Sequence, residues 1–106
     1  MYNAAESQDM RNINILVVDD EPLVRRSLSE FLTLEGYTVS VASNGKEALN
    51  LLKDYIADII ITDMKMPEMD GIALMRHIKQ NYPATAVIFI TGYGSIENAV
   101  EAMKEG

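Results

Sequence analysis

Cysteine is absent from this chain of 106 residues, which excludes a disulfide framework, a cysteine-ligated zinc site and thiol chemistry. Long apolar runs are also absent, and none approaches the length of a membrane span. The first residues, "MYNAAESQDMRN", carry neither the basic start nor the apolar stretch of a signal peptide. We therefore expect a cytoplasmic domain whose residues 1–12 form a polar N-terminal tail.

Positive charge is scarce. The chain has 9 Lys and Arg residues against 16 Asp and Glu residues, which gives a formal net charge of −7. Such an acidic surface disfavours direct binding to nucleic acids and anionic membranes, and it favours cations and basic protein patches as partners. The length fits a single domain, and an apolar fraction of 48% is ordinary for a globular one.

Apolar runs alternate with helical patterns along the whole chain. Residues 13–18, 37–42, 58–62 and 86–90 are short apolar runs that predict four strands. Apolar residues at helical spacing after each run predict four helices. Strands that are apolar on both faces indicate a parallel sheet covered by helices on both sides, so we predict a three-layer α/β fold. The predicted helix boundaries are Pro22, Asn44, Asp70 and Ser95 as starts, and Gly36, Asn81 and Gly106 as ends.

Polar side chains follow three of the predicted strands. Asp19 and Asp20 follow the first strand, Asp63 follows the third and Thr91 follows the fourth. Ligands of open parallel α/β sheets bind at this edge, where the carboxyl ends of the strands meet. Two carboxylates ~4 Å apart repel by about 4 kcal/mol at an effective dielectric constant near 20. Three would cost on the order of 10 kcal/mol, against a total stability of about 5–15 kcal/mol.

Such a cluster needs a cation, a shared proton or generous solvation. Mg²⁺ is the natural cation, because it prefers oxygen ligands and leaves room for a phosphate oxygen. Asp63 stands opposite the acidic pair, and a carboxylate can attack a phosphoryl group to form an aspartyl phosphate. The simpler alternatives are a solvated loop that caps the first helix for Asp19 and Asp20, and an Asx turn for Asp63. The shared edge favours the phosphoryl site.

Three motifs, "ILVVDDEP", "IIITDMKMPEMDG" and "FITGYGS", together resemble the receiver domain of bacterial two-component response regulators. The resemblance covers residues 13–106, and "TGYGSIENAVEAMKEG" is most similar to the receivers of NtrC-like transcription activators. It implies a doubly wound, flavodoxin-like (CheY-like) sheet with the strand order 2-1-3-4.

The resemblance also implies a role for each site residue. Asp63 would be the phosphoacceptor, and Thr91 would be the switch hydroxyl. Mg²⁺ would be held by Asp19, Asp20, Asp63 and the main-chain carbonyl of Lys65. A sensor histidine kinase would supply the phosphoryl group, and an effector domain outside this chain would give the output, with transcription favoured. The domain would not be an enzyme beyond self-catalysed phosphotransfer and dephosphorylation, and it would contact neither nucleic acid nor membrane directly.

The sequence departs from the family at its end. Such receivers continue with a fifth strand, a lysine in a Lys-Pro pair and a fifth helix, and this sequence ends at Gly106, before all three. We therefore expect residues 13–106 to form a receiver domain without its last strand and helix. The fourth strand would then be a sheet edge, so we expect either self-association or domain swapping through it, or a chain that is only part of a longer protein, and we favour the last.

Two other functions stay open. One is a Mg²⁺-dependent phosphohydrolase with an aspartate nucleophile. Enzymes of the haloacid dehalogenase type carry a second Asp two residues after the first, where this chain has Lys65, which argues against this function. The other is an interaction module that works without phosphorylation because it lacks the lysine.

Overall fold

The computed structural model describes residues 13–66 and 68–90. The predicted alternation of strands and helices is confirmed in this part, and each strand boundary lies within one residue of its prediction. None of the helices in these two ranges combines the length and hydrophobicity needed to cross a membrane. The predicted tail over residues 1–12, Thr91 and the fourth helix lie outside the described residues. The elements are β1 (Asn14–Val18), α1 (Pro22–Leu34), β2 (Thr38–Ala42), α2 (Gly45–Leu51), β3 (Ile59–Asp63), α3 (Gly71–Asn81) and β4 (Ala86–Ile90).

The four strands form one parallel sheet in the order β2-β1-β3-β4, as predicted. The register pairs Val18, the last residue of β1, with Ala42 on one side and with Thr62 on the other. The carboxyl ends of these strands are therefore level. This register brings the residues that follow β1 beside Asp63 at the end of β3.

The apolar core lies on one face of the sheet, under α2 and α3. Leu16 and Ile60 of the sheet are fully buried there together with Leu74 and Ile78 of α3. Successive residues of a strand point to opposite faces, so β1 and β3 bury these side chains at alternate positions. The core fixes the two central strands from which the acidic residues emerge.

The other face of the sheet is less well covered. Among the described residues, α1 is the only helix that covers this face. It packs against β1 and β2, and none of its residues belongs to the core under α2 and α3. No residue of α1 is fully buried, and Phe31, which lies on its apolar side, is 58% exposed. Val41 and Ile88 of this sheet face are 41% and 44% exposed. The two helix layers predicted from the sequence are present, but they are unequal.

Local signals set the helix boundaries. α1 begins at Pro22 and is followed by Gly36, whose φ of 103° is a conformation that suits glycine. The Asn44 side chain accepts a hydrogen bond from the Glu47 N–H at 2.7 Å, which caps α2. Asp70 caps α3 in the same way. These contacts confirm the helix starts predicted at Pro22, Asn44 and Asp70.

Candidate functional site

Three carboxylates converge at the carboxyl edge of the sheet. Asp19, Asp20 and Asp63 each offer an oxygen, and these atoms lie within 4.8 Å of one another. Asp19 is 3% exposed, Asp63 is half-buried and Asp20 is exposed. The structure therefore brings together the three acidic residues singled out from the sequence. The cluster they form is buried at Asp19 and open to solvent at Asp20.

Hydrogen bonds hold Asp19 on three sides. Its N–H donates to the main-chain oxygen of Ala42 at 3.1 Å, and its Oδ1 accepts from the Glu21 N–H at 2.9 Å. Its main-chain oxygen accepts from Nη1 of Arg25 at 2.7 Å. Asp19 is thus fixed through its main chain and its side chain at the point where the chain leaves β1.

The surroundings of Asp19 disfavour its charged form. Burial raises the pKa of the Asp19 carboxyl, and the hydrogen bond from the Glu21 N–H opposes this rise only in part. The negative charges of Asp63, Asp20 and Glu21 raise the pKa further. A cation at the cluster would offset both the desolvation and the repulsion.

Asp63 is oriented by its own chain neighbours. The Lys65 N–H donates to its Oδ1 at 3.2 Å, and the buried Thr62 hydroxyl donates to its main-chain oxygen at 3.0 Å. Its Oδ2 accepts no hydrogen bond from the described part of the chain. The Asx turn considered for Asp63 is therefore present, and it leaves one carboxylate oxygen available to a ligand.

The loop after β3 is fastened to the end of the strand. The Gly71 N–H donates to the main-chain oxygen of Met64 at 2.9 Å. A Cβ atom on Gly71 would overlap the main-chain oxygen of Asp63, so α3 starts in direct contact with the strand. Met66 is buried, and its Sδ lies 3.9 Å from the Thr62 hydroxyl oxygen. This packing places Asp63 and the start of α3 in a fixed relation.

Two predicted site groups are not settled by this geometry. Thr91 lies outside the described residues, and its predecessor Ile90 pairs with Asp63 across β3 and β4. Lys65 is exposed, and its carbonyl stays a predicted ligand.

Arg25 is a residue that the sequence reasoning missed. It lies in α1, and its side chain reaches back to the main chain of Asp19. Side chains in a helix lean toward its amino end, so a basic residue in the first turns of α1 can reach the end of β1. A basic residue soon after the acidic pair was therefore the sequence signal for this contact.

Comparison with known proteins places this chain in a family. Residues 15–106 match the response regulator receiver domain. The chain belongs to this family. The Regulatory protein AtoC of Escherichia coli strain K12 is 44% identical over 92 residues, which cover 87% of this chain and 20% of AtoC. AtoC is one of several NtrC-like regulators among the relatives, and the receiver spans about a fifth of the length of the curated relatives it matches.

Solved receiver domains share the fold. A response regulator receiver domain protein from Clostridium thermocellum superposes with a TM-score of 0.77 at 41% identity, covering 89% of this chain and 76% of that one. The response regulator protein TrrA from Thermotoga maritima, solved in complex with Mg²⁺-BeF, gives a TM-score of 0.76 at 34% identity, covering 86% and 79%. The predicted CheY-like fold is confirmed.

The donor set of this receiver fits a hard divalent cation. All three side chains offer carboxylate oxygens, the ligand type that Mg²⁺ prefers. Octahedral ligands about 2.1 Å from an ion lie roughly 3 to 4 Å apart, and small rotations bring oxygens within 4.8 Å to such spacings. Receiver domains bind Mg²⁺ at an acidic pocket, and this chain has the acidic cluster.

Proposed function

We propose that this receiver domain is a phosphorylation switch of a two-component system in which Asp63 accepts a phosphoryl group from a sensor histidine kinase. The observation that carries the proposal is the position of Asp63 beside Asp19 and Asp20, with their oxygens within 4.8 Å. A lone carboxylate at a strand end has many structural uses. A half-buried carboxylate that faces two others is suited to a cation and to a phosphoryl group.

The transfer uses the carboxylate of Asp63 as a nucleophile. One of its oxygens forms a bond to phosphorus while the phosphorus–nitrogen bond of the donor phosphohistidine breaks. The electron pair stays on the imidazole nitrogen, which takes up a proton. The Lys65 N–H donates a hydrogen bond to Oδ1, so Oδ2 would be the oxygen that attacks phosphorus. In this proposal the Thr91 hydroxyl then hydrogen-bonds the phosphoryl group and carries the switch.

The acidic cluster would hold the Mg²⁺ ion. Asp19, Asp20, Asp63 and the carbonyl of Lys65 are the proposed protein ligands. When bound, Mg²⁺ neutralises charge on the phosphoryl oxygens and on the attacking carboxylate. The complex of the homologous TrrA with Mg²⁺-BeF supports Mg²⁺ as the cation.

The proposed output is regulation of transcription through an effector domain outside these residues. The similarity to NtrC-like regulators such as AtoC supports this output. The net charge of −7 makes direct contact of the receiver with DNA unfavourable, so the signal would pass through protein contacts in the cytoplasm. The phosphoryl group stays on the protein until it is lost by self-catalysed hydrolysis, so no other substrate is turned over.

Phosphorylation by a small acyl phosphate tests this function. In the presence of Mg²⁺, the full-length protein should gain the mass of one phosphoryl group, measured by intact mass spectrometry. The Asp63→Asn variant should gain none, because an amide lacks a nucleophilic carboxylate oxygen.

Asp54→Asn is the matched control, because Asp54 is an exposed aspartate after α2 and outside the acidic cluster. This variant should be phosphorylated like the wild type. Absence of any mass gain in the full-length protein, or a gain that persists in Asp63→Asn, contradicts the proposal. Multiple turnover of a generic phosphate ester, lost in Asp63→Asn, would instead indicate a phosphohydrolase.

A further inference from the structure

Arg25 contacts the main chain of the acidic cluster and not its carboxylates. Its Nη1 donates at 2.7 Å to the main-chain oxygen of Asp19, the carbonyl of the peptide that joins Asp19 to Asp20. Within the described ranges, Arg25 forms no ion pair with a carboxylate. The contact is partly buried, and a short hydrogen bond from a charged donor is among the stronger kinds.

This contact completes the restraint of the turn after β1. The main-chain N–H of Asp19 donates a hydrogen bond to the main-chain oxygen of Ala42 in β2. Oδ1 of Asp19 accepts a hydrogen bond from the Glu21 N–H. The Arg25 N–H also donates to the Glu21 main-chain oxygen at 3.1 Å, at the start of α1. Arg25 therefore links the first turn of the helix to the end of the central strand, and the peptide between the two acids cannot rotate without breaking that link.

The restraint opposes the repulsion within the cluster. Three carboxylates whose oxygens lie within 4.8 Å repel one another, and the exposed Asp20 is the one most able to swing into solvent. A fixed peptide holds the main chain of Asp20 in place, so that its carboxylate starts close to those of Asp19 and Asp63. A cation then finds its ligands already converged and does not have to order them.

We propose that Arg25 is a positioning residue for the metal site, acting through the peptide between Asp19 and Asp20 to raise the affinity of the cluster for Mg²⁺. The consequence for phosphorylation of Asp63 rests on the function proposed above. The effect on Mg²⁺ binding is measured without phosphorylation, so the two can fail separately.

The direction of the affinity change distinguishes a positioning residue from a nearby positive charge. Loss of a bystander cation would tighten Mg²⁺ binding, because the repulsion between the two cations is removed. Loss of a positioning contact weakens Mg²⁺ binding, because the ligands are no longer held together. Arg26, the next residue of α1, gives a matched control, because it is exposed and its side chain forms no hydrogen bond within the described ranges.

The experiment titrates the full-length protein with Mg²⁺ alone by isothermal calorimetry. Arg25→Met and Arg25→Gln should each raise the Kd for Mg²⁺ by on the order of tenfold. This is the lower end of the loss in metal affinity that follows removal of an outer-sphere partner. Arg25→Lys should recover part of the affinity, because an ammonium group supplies one donor without the guanidinium geometry. Arg26→Met should bind Mg²⁺ as the wild type does or slightly more tightly.

Circular dichroism in metal-free buffer checks that each variant is folded. If Arg25→Met does not fold, the Mg²⁺ affinity of Arg25→Gln is the test of the proposal. Wild-type or tighter Mg²⁺ binding by a folded Arg25→Met or Arg25→Gln overturns the proposal. So does an equal loss of affinity in Arg26→Met.

Phosphorylation adds a second readout. With an acyl phosphate as donor, Arg25→Met should be phosphorylated more slowly at low Mg²⁺ and should approach the wild-type rate at saturating Mg²⁺. A rate deficit that saturating Mg²⁺ does not reduce would contradict action through metal affinity. If no variant is phosphorylated while the Mg²⁺ affinities differ as expected, the phosphorylation function fails and the positioning role stands.

Discussion

Asp19 combines burial with negative neighbours, and this combination makes its negative charge costly in the absence of a cation. Only 3% of the residue is exposed, and one backbone N–H compensates its carboxylate. Its raised pKa reflects desolvation first and the repulsion by Asp63, Asp20 and Glu21 after it. The acidic cluster is therefore a source of instability that a bound cation would relieve, and the pH dependence of this instability can be stated with a sign.

Replacement of Asp19 by asparagine should stabilise the metal-free protein at neutral pH. Because folding raises the pKa of Asp19 above its ordinary value of 3.8, its contribution to stability is fully present below that value. The contribution is lost as the pH rises through the raised folded-state pKa. Urea unfolding in EDTA should give Asp19→Asn a higher midpoint than the wild type at neutral pH, and this difference should shrink as the pH falls toward 3.8.

The control for this measurement is Asp54→Asn. The difference between its urea midpoint and that of the wild type should not follow the same pH dependence. Addition of Mg²⁺ should stabilise the wild type and have little effect on Asp19→Asn. A stability difference between Asp19→Asn and the wild type that is independent of pH contradicts the assignment.

The acidic cluster was predictable from the sequence, but the hydrogen bond from Arg25 that holds its main chain was not. The convergence of Asp19, Asp20 and Asp63 was predictable because polar residues after parallel strands share one edge of the sheet. The contact between Arg25 and the Asp19 main chain was missed, because it depends on how α1 sits over the end of β1. The placement of Thr91 stays a prediction.

At the scale of elements, the start of α3 determines where Asp63 can lie. Gly71 is the first residue of α3, and a Cβ atom there would overlap the main-chain oxygen of Asp63 and lie 3.0 Å from Cα of Met64. Both are main-chain atoms, so relief requires movement of the strand end or of the helix. Gly45 is the first residue of α2, and a Cβ atom there would meet a side chain instead, with Sδ of Met69 at a distance of 2.8 Å.

Gly71→Ala should therefore destabilise the protein by about 1–3 kcal/mol, the usual cost of overpacking, and slow the phosphorylation of Asp63. Gly45→Ala is the matched substitution, and it should cost less because the end of the Met69 side chain can move. Urea unfolding and acyl phosphate labelling measure the two effects. Equal destabilisation by both substitutions, or an unchanged labelling rate in Gly71→Ala, is inconsistent with this account.

The boundaries of the elements were predictable because their signals are local. Pro22, Asn44 and Asp70 start helices through the geometry of single residues, and Gly36 follows α1 with a positive φ. The exposure of Phe31 was not predictable from its helical spacing, because spacing defines a face of α1 but not what covers that face.

At the scale of the whole molecule, the sheet has one well-packed face and one partly open face. Leu16 and Ile60 are inaccessible to solvent, whereas Ile88 on β4 is 44% exposed. Within the described residues β4 pairs with β3 on one side only, so it is an edge of the sheet. An apolar edge strand favours association with another chain.

We predict that the 106-residue chain associates through β4. Its mass by light scattering should rise above the 11.8 kDa of a monomer as the concentration increases. Ile88→Lys should reduce the association, because a charge in the middle of an edge strand opposes pairing.

Leu34→Lys is the control, because Leu34 is 86% exposed at the end of α1, and α1 packs on β1 and β2, away from the β4 edge of the sheet. This variant should associate as the wild type does. A monomeric mass at every concentration rules out the association, and equal effects of the two lysines rule out the edge as its cause.

The hydrogen bond between the Gly71 N–H and the Met64 oxygen closes the loop after Asp63 into a ring of fixed length. Within this ring Glu68 adopts a φ of 70°, a conformation that is costly for residues other than glycine. Insertion or deletion of a single residue would break the closure, whereas exchange of an exposed side chain such as Lys65 leaves it intact. Natural variation in this segment is therefore expected to change the identity of residues and to conserve their number.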